Sequence, residues 1–283
     1  MNQSEYIATY FSRELSGYYP NDEIKTITRL VLKEVCGISP SDLFSCKITI
    51  LSDVEKQKLD DIIIRLKNQE PLQYILEETR FYGLSFHVNS LVLIPRPETE
   101  ELVEWVISEK DDKTKRILDI GTGSGCIAVA LAKMIPSSYI EAWDISAGAL
   151  NVAQENAERN MVNVTFKQIN VLEYSFNDDK FDVIVSNPPY VTESEKHDMD
   201  SNVLDFEPKT ALFVPDNNAL IFYERIADIA LKRLNSNGKL YFEINRSKGI
   251  EMVEMLIQKG FHNVELRKDI SGNDRMIRAQ INW

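Results

Sequence analysis

The sequence predicts a doubly wound α/β domain, with a mostly parallel seven-stranded sheet, behind a small N-terminal helical domain. Three observations carry this expectation. From residue 116 onward, strand and helix patterns alternate as such a unit requires. The first of these strands runs into a glycine-rich loop, Gly121-Thr122-Gly123-Ser124-Gly125, that opens a helix. The fourth, 181–186, is a short β-branched run that stops at Asn187-Pro188-Pro189-Tyr190, where two residues without an N–H end the pairing.

In the N-terminal part, apolar residues recur at helical spacing over 6–15 and 23–36, where Ile24, Ile27, Leu30, Val31 and Val35 share one face. Asn21-Asp22 offers a cap at the start of the second helix and Gly37 a stop at its end. Ser39-Pro40-Ser41-Asp42 starts another short helix. A further one spans 52–68, with Leu59, Ile62, Ile63 and Leu66 on one face and Ser52 and Glu55 placed as a capping box. The pattern closes near Gln69-Glu70-Pro71. These signals predict a helical domain over 1–71, a hairpin linker over 72–100 and the α/β domain over 101–283.

Within the linker, 79–88 alternates as a hairpin with Gly83 near its turn. The apolar run Leu91 to Ile94 leads into Pro95-Arg96-Pro97-Glu98-Thr99-Glu100, then a helix over 100–109. So apolar a lead-in suits a segment packed beside a site better than one facing solvent. The α/β domain then reads as strands at 116–120, 139–144, 163–169, 181–186 and 239–244, with helices at 126–135, 146–160, 217–234 and 247–259. A terminal hairpin, 264–268 and 276–281, completes seven strands.

Composition narrows the function classes. The formal charge is −12, of which −3 falls within residues 1–80 and −9 on the remainder. A nucleic-acid binder usually shows a basic face, and none is visible, so no direct nucleic-acid partner is expected. The start lacks the apolar core of a signal peptide. The longest apolar stretch, 126–135, is broken by Lys133 and too short to span a bilayer, so no membrane partner is expected. Cys36, Cys46 and Cys126 are odd in number, without metal-ligand spacing, and His87, His197 and His262 are scattered. The expectation is a cytoplasmic protein with reduced thiols and no metal.

The glycine loop lets a ligand approach the backbone closely. Asp144 ends the next strand, where a carboxylate can accept both hydroxyls of a ribose. That much fits a dinucleotide as well as S-adenosylmethionine, though the G-x-G-x-G spacing leans to the latter. Asn170 and Val171 follow the third strand, where such folds place an adenine. The Asn-Pro-Pro-Tyr end decides between the two cofactors. Its Asn187 side-chain oxygen and Pro188 carbonyl can take both hydrogens of a planar –NH2 group, with Pro189 stiffening the turn and Tyr190 lying against the plane. Nicotinamide chemistry has no use for such a clamp. A delocalised nitrogen is a poor nucleophile, so holding it in line with an electrophile supplies much of the catalysis.

Four segments resemble the bacterial release-factor glutamine N5-methyltransferases (the PrmC/HemK type): Leu93 to Glu100, Leu118 to Gly125, Ser186 to Tyr190, and Phe206-Glu207-Pro208 followed by Ala211-Leu212. The resemblance implies a class I S-adenosylmethionine-dependent methyltransferase, Rossmann-like, whose helical domain recognises the substrate. It implies methylation of the glutamine side-chain amide in the Gly-Gly-Gln motif of peptide chain release factors, with S-adenosylhomocysteine as product. On this match Gly121, Gly123, Gly125 and Asp144 would hold the cofactor; Thr122 and Ser124 of the same loop, and Asn170 and Val171 by their place in the fold, complete the expected cofactor site. Asn187, Pro188, Pro189 and Tyr190 would hold the glutamine. Glu77 departs from the pattern, since the family generally has glycine after the apolar pair Ile75-Leu76. Two rival enzymes share the clamp: a ribosomal-protein glutamine methyltransferase, and a DNA or RNA methyltransferase acting on a flipped base.

Overall fold

The computed structural model describes residues 3–38, 52–111, 115–175 and 179–281. These divide into two compact units, residues 1–77 with 201–206, and residues 78–200 with 207–283.

The smaller unit contains α1 (Gln3–Leu15), α2 (Asn21–Cys36), α3 (Asp53–Lys67) and the short α4 (Leu72–Leu76). Its core is the stripe that periodicity marks, with Phe11, Leu15, Val31, Leu59 and Leu66 buried together. The capping box forms as expected: Ser52 Oγ accepts from Glu55 N at 3.2 Å, and Glu55 accepts from Ser52 N at 2.7 Å. At the start of α2 the structure corrects the expectation. Pro20 is the N-cap and Asn21 is already helical, with no side-chain cap, because a residue with fixed φ can lead directly into a helix. Gly37 ends that helix at φ 63°. The expected helix at Ser39–Asp42 lies outside the described residues. Glu77 caps α4 at φ 54°, in the left-handed region that glycine fills without strain.

The larger unit opens with the hairpin β1 (Glu78–Phe81) and β2 (Leu84–His87). Tyr82 and Gly83 form its turn at φ 50° and 74°, the pair of positive values that matches strand twist. Next comes α5 (Pro97–Ser108), three residues earlier than the sequence suggests, with Arg96 as N-cap and Pro97 in the first turn. A proline is at home there, since that N–H has no intrahelical partner.

The sheet strands are β3 (Arg116–Ile120), β4 (Tyr139–Asp144), β5 (Thr165–Gln168), β6 (Phe181–Ser186), β9 (Leu234–Glu243), β10 (His262–Lys268) and β11 (Asp274–Gln280). They lie in the order β10-β11-β9-β6-β3-β4-β5, with β11 antiparallel to its neighbours. The helices α6 (Cys126–Met134) and α7 (Ala147–Arg159) join α5 on one face. On the other face lie α10 (Ile221–Arg233) and α11 (Gly249–Gln258). Alternation along strands feeds both cores: Ile117 and Val183 face the first, Leu118 and Ile184 the second. Along the chain between β6 and β9 come a two-stranded pair, β7 (Val191–Thr192) and β8 (Phe213–Val214), and the short helices α8 (Ser201–Phe206), which belongs to the smaller unit, and α9 (Lys209–Leu212). The helix expected over 217–234 begins only at Ile221, after a 3-10 turn at Asp216–Asn218. No helix among the described residues is long and apolar enough to cross a membrane.

Successive strands run outward from β3 in both directions, first to β4 and β5, then back to β6. That reversal opens a crevice at the carboxyl ends of β3 and β6. Ile120 pairs with Trp143 on one side and Ser186 on the other. This register brings Gly121, Asp144 and Asn187 to the same edge.

Candidate active site

A cleft of about 300 Å³ sits at that edge. Gly121, Thr122, Gly123 and Ser124 line it, with Asp144, Asn170, Val171, Asn187, Pro188 and Pro189. The structure therefore brings together ten of the twelve residues that the sequence singles out.

The glycine loop is anchored from below. Gly121 N and Thr122 N both donate to Trp143 O, at 2.8 and 2.9 Å. Thr122 and Ser124 are buried, and Thr122 Oγ1 donates to Asp119 Oδ2 at 2.6 Å. The Thr122 hydroxyl is thus committed to Asp119. Gly125 stands outside the lining. It packs on α7 so closely that a Cβ there would lie 3.0 Å from Ala153 Cβ, and its φ is 80°, so only glycine fits.

Asp144 is held by two backbone amides. Its Oδ2 accepts from Gly123 N at 2.8 Å and its Oδ1 from Ser146 N at 2.9 Å. Ser146 in turn caps α7, accepting from Ala149 N at 3.1 Å. Burial raises the Asp144 carboxyl above its ordinary value, and these amides pull it back. Each carboxylate oxygen keeps a further lone pair for a hydroxyl. Asn170 turns its Oδ1 to Leu172 N at 3.1 Å. Ile145, Ile169 and Phe222 add apolar wall.

Asn187 Nδ2 donates to Thr99 Oγ1 at 3.3 Å. Tyr190 also stands outside the lining; its hydroxyl donates to Glu243 Oε1 at 3.2 Å. Burial pushes that phenol well above its ordinary value, and the Glu243 carboxylate adds to the effect. Burial likewise raises Glu243, against the Thr99 hydroxyl and the nearby Arg275. Cys126, in the wall, is pushed up to about 12 by burial, so its thiol stays protonated.

Several wall residues come from segments whose individual roles the sequence reading left unassigned. Leu93, Pro95, Arg96 and Thr99 bring the proline-flanked lead-in to the cleft, and Thr210 and Ala211 bring the stretch after Pro208. Arg96 Nη2 donates to the buried Glu207 Oε1 at 2.6 Å, tying those two stretches together. All four segments of the resemblance therefore converge on one crevice, and that convergence is the signal that could have found these residues.

Known proteins agree with this architecture. Residues 99–205 match the "Methyltransferase small domain" family and residues 8–76 the "PrmC N-terminal domain" family. A release factor glutamine methyltransferase of Flavobacterium psychrophilum is 46% identical over 275 residues, covering 96% of each chain. The chain belongs to the release factor glutamine methyltransferase family. A second relative with that name, from Bacteroides thetaiotaomicron, is 44% identical over 274 residues, covering 96% of this chain and 98% of its own. A methyltransferase from Pyrococcus furiosus superposes with a TM-score of 0.52 at 18% identity, covering 72% of this chain and 91% of its own. That likeness shows the class I methyltransferase fold. The mostly parallel seven-stranded sheet and the family's helical N-terminal region stand as the sequence predicts.

Proposed function

We propose that this family member transfers the methyl group of S-adenosylmethionine to the side-chain amide nitrogen of the glutamine in the Gly-Gly-Gln motif of peptide chain release factors. One observation carries the reading: an Asn-Pro-Pro strand end faces a glycine loop and a ribose-type carboxylate across a single cleft. The relatives' name supplies the substrate class.

The residues fit that cofactor. Asp144 has lone pairs left for two ribose hydroxyls after accepting from Gly123 and Ser146. Gly121 and Gly123, at φ 76° and 54°, give backbone that a ligand can approach without side-chain obstruction. Ile145, Ile169, Val171 and Phe222 suit an adenine. When bound, S-adenosylmethionine supplies a methyl carbon made electrophilic by its sulfonium.

The chain's own contribution is placement. Asn187 Oδ1 and the Pro188 carbonyl accept the two N–H bonds of the glutamine amide, while Tyr190, outside the lining and bonded to Glu243, braces the turn from behind instead of lying against the amide plane as the sequence suggested. The prolines stiffen this turn, so little ordering remains to be done when substrate arrives. The amide nitrogen so held would take the methyl group as its bond to the sulfonium sulfur breaks, with S-adenosylhomocysteine leaving, and the surplus N–H proton would pass to water. No side-chain base is needed, and Tyr190 is too firmly protonated to serve as one. The helical unit docks the release factor away from the loop being methylated, and both proteins meet in the cytoplasm.

Incubation with methyl-labelled S-adenosylmethionine tests the reading. Label should enter a release factor and be lost when the motif glutamine is replaced. Label in a ribosomal protein or in DNA, with none in the release factor, would overturn it.

A further inference from the structure

Glu243 ends β9 beside β6 and is 1% exposed, yet it has no part in the transfer as described above. Both its oxygens are given to residues of the site. Oε2 accepts from Thr99 Oγ1 at 2.6 Å, and Oε1 accepts from the Tyr190 hydroxyl at 3.2 Å. Thr99 in turn accepts from Asn187 Nδ2 at 3.3 Å.

The direction of this chain matters. A threonine hydroxyl carries one proton. Thr99 gives it to Glu243, so towards Asn187 it presents only lone pairs. The –NH2 end of the Asn187 amide answers them, and the oxygen end is left for the cleft that Thr99 and Asn187 both line. Turning the amide over would set two acceptors against each other and lose the bond.

Stability gives a poor account of the same carboxylate. Burying one costs free energy that an apolar residue would not incur. The neighbouring β9 positions Leu240, Tyr241 and Phe242, and Ile244 just beyond, are buried hydrophobics. Glu243 interrupts that run where its side chain meets Thr99 and Tyr190.

We propose that Glu243, acting through Thr99, fixes which end of the Asn187 amide faces the cleft and is thereby a positioning residue for the clamp. The inference rests on the carboxamide-clamp reading given above.

Steady-state transfer to a release factor by the full-length chain tests it, with cofactor affinity measured separately by calorimetry. Glu243→Gln preserves volume but can turn an –NH2 towards Thr99 and free that hydroxyl to donate to Asn187. Misplacement of this kind should lower kcat about ten- to hundredfold, with cofactor Kd changed by less than about threefold. On an Asn187→Ala background the same substitution should cost less than about threefold more, because the residue through which it acts is gone. Thr99→Val should reproduce the loss and Thr99→Ser should restore most of it, and this pair carries the test if Glu243→Gln does not fold. Wild-type kcat in Glu243→Gln, or penalties that multiply with Asn187→Ala, would overturn the proposal while leaving the clamp standing. A wild-type chain that methylates no release factor would sink both.

Discussion

Asp144 Oδ2 accepts the Gly123 N–H at 2.8 Å, tying the end of β4 to the middle of the glycine loop. The carboxylate therefore shapes the loop as well as presenting lone pairs to the cleft. Asp144→Ala removes both contributions. Charge-assisted hydrogen bonds contribute about 1.5–3 kcal/mol each, so cofactor Kd should rise about ten- to hundredfold. Turnover at saturating cofactor should fall far less. Calorimetric titration with S-adenosylmethionine checks this, and an unchanged Kd would remove Asp144 from the cofactor site.

Asp119, beneath the same loop, gives a prediction about pH. Burial lifts its carboxyl to about 7, against the Thr122 hydroxyl and with a smaller push from Asp144. An unfolded aspartate titrates near about 3.9. Between these values the folded chain holds a proton that the unfolded chain has released, so this group removes stability as pH rises from about 4 to about 7. Asp119→Asn abolishes the titration. Its stability relative to wild type, from urea melts, should therefore improve between about pH 5 and about pH 8. A difference independent of pH would contradict the assignment.

Glu77, at φ 54°, occupies backbone space where a Cβ costs roughly 1 kcal/mol. Glu77→Gly should hold or raise the melting temperature despite the added freedom of the unfolded chain. Glu77→Val, with a branched Cβ, should lower it. Thermal melts of the two variants settle the point; a Gly variant less stable than the Val variant would show that the glutamate side chain matters more than its backbone.

Much of this architecture was legible in the sequence because its signals are local. Strand and helix periods alternate from Arg116 onward, and the β-branched run before Asn187 reads as a buried strand. The Asn-Pro-Pro turn and the glycine loop announce themselves because proline fixes the backbone and glycine opens conformations that other residues avoid. What stayed hidden depends on tertiary closure. Thr99 and Glu243 are 144 residues apart, and nothing in the immediate sequence of either names the other. Pro97 read as part of the connection ahead of a helix and proved to be in its first turn. Asn21-Asp22 resembled a cap, but Pro20 took that place. In both cases proline's fixed φ was compatible with two readings, and packing chose.

Asn187→Ala tests the central claim most directly, in single-turnover methyl transfer to a release factor with cofactor Kd measured alongside. Losing the acceptor that aims the substrate amide should slow transfer about a hundredfold or more, while Kd stays within about threefold of wild type. An undiminished rate, or a loss of cofactor binding as large as the loss of rate, would contradict the account.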